Sequence, residues 1–136
     1  MTKDPDNIKT INEYLVQNFE PYLIILFGSQ AKGTFREDSD IDIAFLSEKE
    51  CSSYELFMVA QQLASELGRE VDLVDLTKAS TVFKAQIVGT GTVIYCLDES
   101  KRILFQMRTF KDYALLNEER AEILNKIRQR GTVYGG

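Results

Sequence analysis

At 136 residues, 44% hydrophobic and 27% charged, the chain is the size of one ordinary globular domain and long enough to bury a core of its own. Sixteen basic residues against 21 acidic ones leave a net charge of -5, which is the wrong sign for a protein that grips a long phosphate backbone, so direct DNA binding is not expected. There is no histidine, which removes imidazole bases and the common zinc sites and leaves carboxylates to carry any catalysis.

In chain order, Asp4-Pro5-Asp6 reads as a helix start with proline in the first turn, and Ile8, Ile11, Leu15 and Phe19 follow at helical spacing up to Pro21. Tyr22 to Phe27 contains no charged residue and stops at Gly28-Ser29, the pattern of a strand covered on both faces. Residues 28–39 form a polar loop. From Asp40 to Leu46 the side chains alternate, which puts Ile41, Ile43 and Phe45 on one face and Asp40, Asp42 and Ala44 on the other.

A second amphipathic helix carries Leu56, Val59, Ala60, Leu63 and Leu67, with Gly68 as its stop. Val71 to Leu76 is a third strand, and Thr77 is the expected N-cap of a third helix that runs to the Gly89-Thr90-Gly91 turn. Thr92 to Cys96 gives a fourth strand. From Glu99 to Arg130 the pattern is helical, as one helix or two, with Ile103, Met107, Phe110, Ala114, Ala121 and Leu124 expected on the core side. Gly131 to Gly136 is expected to be a flexible tail on a single domain of residues 1–130. This order of elements predicts an α/β fold, a small mixed sheet packed with helices, because the first two strands are joined directly by a short loop.

Cys51 and Cys96 stand in no metal-ligand spacing and are expected to be free thiols. The N-terminus has no apolar signal core and no stretch is long enough to span a bilayer, so a cytoplasmic protein without membrane attachment is expected.

The informative stretch joins the first two strands. It begins with Gly28-Ser29 and ends with Asp40-Ile41-Asp42. A glycine turn allows close backbone approach, and its amides together with the Ser29 hydroxyl suit a phosphate. Two carboxylates two residues apart on one strand face repel each other unless a cation lies between them, and magnesium is the hard-oxygen cation that also takes phosphate into its shell. Taken singly, a Gly-Ser turn and an Asp-x-Asp strand edge are ordinary surface features. Lys32, Arg36, Arg69 and Lys84 could offset phosphate charge, yet isolated basic residues are usually solvated and none is assigned.

Gly-Ser, ten intervening residues and Asp-x-Asp, with Ala31, Gly33 and the Ser39-to-Ile43 run, resemble the signature of the polymerase-beta-like nucleotidyltransferases, in particular their minimal nucleotidyltransferase (MNT) branch. The resemblance implies that Gly28 and Ser29 bind nucleotide and that Asp40, Asp42 and a third carboxylate from a later strand hold two Mg2+ ions. Asp72 and Asp75 are candidates of opposite parity for the third position. Asp72 is favoured because, with Val71 and Leu73 facing the helices, it shares the face of Asp40 and Asp42.

Free-standing MNT proteins of this size imply a type VII antitoxin that transfers AMP from ATP to a tyrosine hydroxyl of a HEPN-domain ribonuclease toxin. At this length no acceptor-binding domain of its own is expected, which suits an acceptor that is itself a protein. Two other functions stay open from the residues: an idle fold that blocks its toxin stoichiometrically, and transfer to a small molecule of the aminoglycoside type.

Overall fold

The structure is a computed structural model and describes residues 5–28 and 40–134. Among the described residues, eight α-helices and strands follow in the order α1 (Pro5–Phe19), β1 (Leu23–Phe27), β2 (Ile41–Leu46), α2 (Ser53–Leu67), β3 (Val71–Asp75), α3 (Thr81–Thr90), β4 (Thr92–Cys96) and α4 (Glu99–Tyr134). The four strands form one sheet in the order β3-β2-β1-β4. β1 pairs antiparallel with both β2 and β4, while β2 and β3 run parallel. The sheet is therefore mixed, as the short β1–β2 connection predicts, and α2 supplies the crossover that a parallel pair requires.

Period-two alternation sorts the strand residues into two cores. Ile24, Leu26, Ile41, Ile43 and Phe45 pack with Ile11, Leu15 and Phe19 of α1 and with Val59, Ala60 and Leu63 of α2. On the other face, Leu23, Ile25, Ala44 and Leu46 pack with Leu76, with Ile87 of α3 and with Phe105 of α4. The first core contains the stacked rings of Phe19 and Phe45, centroids 4.9 Å apart. α1 ends at Glu20, which takes a positive φ of 48° just before Pro21, and Ser47 Oγ donates to the Phe19 carbonyl at 2.6 Å, tying the end of β2 to the end of α1.

α2 is delimited by local chemistry. Ser52 and Glu55 form a reciprocal capping box, and Gly68 closes the helix at φ 67°, the left-handed conformation that glycine adopts without a Cβ penalty. The strand that follows is thereby started at Val71, which pairs with Ile41.

Two expectations are corrected. The N-cap of α3 is Ser80, whose side chain accepts from the Phe83 amide. Thr77 lies instead in a 3-10 turn, Leu76–Lys78, capped by Asp75. Aspartate two residues upstream competes for the Thr77 amide, and this local bond closes a separate turn before the helix starts.

The second correction concerns α4, which is one helix of 36 residues. Its packed side is marked by the half-buried Phe105 and Tyr113 and by the buried Thr109. Ile103, Met107, Phe110 and Leu124 are 45 to 65% exposed. They are not core. Beyond Leu116 every residue through Arg130 is exposed, so the helix leaves the body of the domain. The backbone of residues 131–134 continues that helix. Cys51 and Cys96 are free thiols, and among the described residues no helix is long and apolar enough to cross a membrane.

Candidate active site

The carboxylates are placed by strand register. Asp42 in β2 is the direct parallel partner of Asp72 in β3, and Asp40 precedes Asp42 by two residues, so all three belong to one sheet face. This is also the face of Ala44 and Leu46. Asp42 is half-buried, whereas Asp40 and Asp72 are exposed. Asp75 has opposite parity, and its Oδ1 accepts from the Thr77 amide at 3.1 Å and from the Thr77 hydroxyl. It is occupied as a turn cap.

Gly28 stands at the end of β1 with φ 72°. A Cβ at this position would collide with Asp42 Oδ2 and lie 3.4 Å from Asp42 Cγ. The glycine therefore does two things: it permits the left-handed turn and it leaves the space that the Asp42 carboxylate fills. Ser29, expected to bind nucleotide beside it, lies outside the described residues, as do Lys32 and Arg36.

The electrostatics of the cluster are unfavourable to its own charge. The Asp42 carboxyl is pushed up from 3.8 to about 6, first by burial, then by the negative charges of Asp72 and Asp40 and by a side-chain hydrogen bond with Asp72. A cation between the acids would relieve this strain. Among the described residues no three His, Cys, Asp or Glu side chains form a ready-made metal cage. Magnesium does not need one, because it is usually held by one or two carboxylates and completes its octahedron with water and substrate phosphates. The hard, oxygen-only donors at Asp40, Asp42 and Asp72 suit that ion, as they would other hard divalent cations such as manganese.

Parity in the sequence separates Asp72 from Asp75. It does not reveal the apolar neighbour of the carboxylates. Phe27 pairs in register with Asp42 from the β1 side, and Phe83 of α3 meets it edge-on. The only trace in the sequence is that Phe27 has the parity of Leu23 and Ile25 while standing next to Gly28.

A four-stranded mixed sheet with a glycine turn facing two acidic strand ends defines a nucleotidyltransferase. The family model described as Polymerase beta, Nucleotidyltransferase matches residues 9–100, and the chain belongs to this family. It is 40% identical over 105 residues, 77% of this chain and 75% of the other, to the protein adenylyltransferase MntA of Shewanella oneidensis. Among solved structures, a toxin–antitoxin crystal structure with AMP-PNP superimposes with a TM-score of 0.80 at 38% identity, covering 89% of this chain and 98% of that one. The complex of tri-AMPylated Shewanella oneidensis HEPN toxin with MNT antitoxin matches with a TM-score of 0.75 at 35% identity, over 89% of this chain and 95% of that one.

Proposed function

We propose that this chain is the antitoxin of a type VII module and a protein adenylyltransferase, which inactivates a HEPN-domain toxin by moving AMP from ATP onto a tyrosine hydroxyl. The observation that carries this reading is the register-paired Asp42 and Asp72 beside the Gly28 turn, in a chain 40% identical to a protein adenylyltransferase.

Asp40, Asp42 and Asp72 are the residues that would hold divalent magnesium, which when bound offsets phosphate charge and lowers the pKa of a nearby hydroxyl. The chain's own groups do the rest. Gly28 lets the triphosphate approach the backbone, and Ser29 adds a donor. Asp72, the most open of the register pair, takes the proton of the acceptor tyrosine. The tyrosine oxygen then bonds to the α-phosphorus, the bond from that phosphorus to the bridging oxygen of the β-phosphate breaks, and pyrophosphate leaves. The need for ATP and the two free thiols suit a cytoplasmic setting.

Acceptor binding is left to the partner and to α4, where Met107, Phe110 and Ile123 stand 65, 46 and 57% exposed. Incubation with labelled ATP, magnesium and the toxin encoded by the adjacent gene tests the reading. Label and one AMP mass increment per modified tyrosine are expected with wild type, and none with Asp42→Ala. If wild type leaves the toxin unlabelled while both proteins protect equally, the enzymatic reading fails.

The exposed apolar residues of α4 favour a second contribution, protection by occupancy. Titration separates the two, since an enzyme protects many toxin molecules and an occluding partner protects one.

A further inference from the structure

The row of side chains that carries the site extends past the carboxylates. Antiparallel pairing sets Phe27 opposite Asp42, and parallel pairing sets Asp42 beside Asp72. Register partners project from the same face with Cβ atoms about 5 Å apart, so the order across the sheet is Phe27, Asp42, Asp72. Phe83, in the first turn of α3, meets Phe27 at a centroid separation of 5.7 Å and an angle of 86°.

Both rings pack on one side against the second core, yet both are only half-buried, and the neighbouring Val82 is 37% exposed. The contrast within the same protein is instructive. The Phe19–Phe45 pair, which serves packing alone, is fully buried. An aromatic pair left partly open at the end of a row of acids offers apolar ring surface next to a phosphate site.

The direction of the row identifies its occupant. In the reaction proposed above, the acceptor hydroxyl gives its proton to Asp72 and so approaches from the β3 side. The nucleoside is left with the β1 side, where the Gly28 turn and Phe27 lie. The purine is the flat apolar group that this reaction brings there.

We propose that Phe27 and Phe83 form the seat of the purine base of the nucleotide, with Phe83 as the residue that positions it. The inference rests on the adenylyltransferase reading. Base–aromatic stacking is tolerant of which base is stacked, and losing it typically weakens binding about 5- to 150-fold.

The test measures the affinity of wild type, Phe83→Leu and Phe83→Trp for AMP-PNP and for inorganic tripolyphosphate, each with magnesium, by calorimetry. Leucine keeps an apolar side chain against the second core and removes the ring. The expected result is about a ten-fold loss for AMP-PNP in Phe83→Leu, no change for tripolyphosphate, and recovery in Phe83→Trp. In turnover, KM for ATP rises and KM for the toxin holds. Unchanged AMP-PNP affinity in Phe83→Leu overturns the proposal, and so does an equal loss for both ligands, which would mark a structural effect. A rise in toxin KM alone would assign the rings to the acceptor and overturn it too. Each of these leaves the adenylyltransferase reading standing, whereas a wild-type protein that binds neither ligand removes both.

Discussion

Gly28 and Asp42 share one small volume: the carboxylate occupies the place where any side chain at position 28 would begin. The turn proposed to receive phosphate and the acid that stands beneath it are thus fitted to each other, although 13 residues separate them in the sequence.

Replacing Gly28 by alanine therefore incurs two penalties. The positive φ of 72° costs a residue with a Cβ about 1 kcal/mol or more, and Asp42 must move. A displacement of about 1 Å at a catalytic group lowers rates by roughly 100-fold. Gly28→Ala is expected to lower the urea midpoint modestly and AMP transfer by about two orders of magnitude. Wild-type transfer in this variant would show that the fit is incidental.

The Asp42 carboxyl, at about 6 rather than 3.8, makes stability depend on pH. The folded state holds this proton more tightly than the unfolded chain, so the contribution is full below pH 3.8 and is lost as pH rises through about 6. For a half-buried group, solvent screening brings the effect to roughly 1–2 kcal/mol. In chelator, wild type should lose that much stability between acid and neutral pH, while Asp42→Asn shows a flatter profile. Parallel profiles from denaturation at each pH would contradict this.

Asp72 and Asp75 are separable by experiment. Asp72 is exposed, so Asp72→Asn should fold like wild type and lose transfer by about 100- to 10,000-fold, the range for a positioned proton acceptor. Asp75→Ala removes the cap on Thr77 and should cost about 1 kcal/mol of stability while transfer continues. The reverse pattern would exchange their roles.

Cutting the chain after Asn117 removes only exposed residues among those described as far as Arg130. The domain should melt within about 0.5 kcal/mol of wild type. Recovery of the toxin by co-purification is expected to fall. Ile123→Ser with Ile127→Ser, both residues being more than half exposed, should act in the same direction, and undiminished recovery would place the toxin elsewhere.

Much of the site is legible in the sequence because strands have a period of two. Asp40 and Asp42 fall on the face opposite Ile41 and Ile43 from alternation alone, and the same parity selects Asp72 over Asp75. The mixed sheet follows from a β1–β2 connection without a helix. The contact between Gly28 and Asp42 is not legible, since it depends on a turn conformation and on strand pairing together. Nor is the edge-on meeting of Phe27 and Phe83, which are 56 residues apart and are joined only by how α3 crosses the sheet. The start of α3 is misread at Thr77 because two good capping residues, Thr77 and Ser80, compete, and Asp75 decides between them. The stripe of α4 is misread because apolar spacing marks a face to be covered and does not say by which molecule.

That last helix also bears on how long the protein survives. Its outer half is exposed from Asn117 to Arg130, and a helical stretch that buries so little is marginal in water. In the free protein it will open often enough to be clipped by proteases, and a partner that covers it will protect it. Resistance to digestion would then report complex formation, and the lifetime of this chain would be set by the amount of its companion.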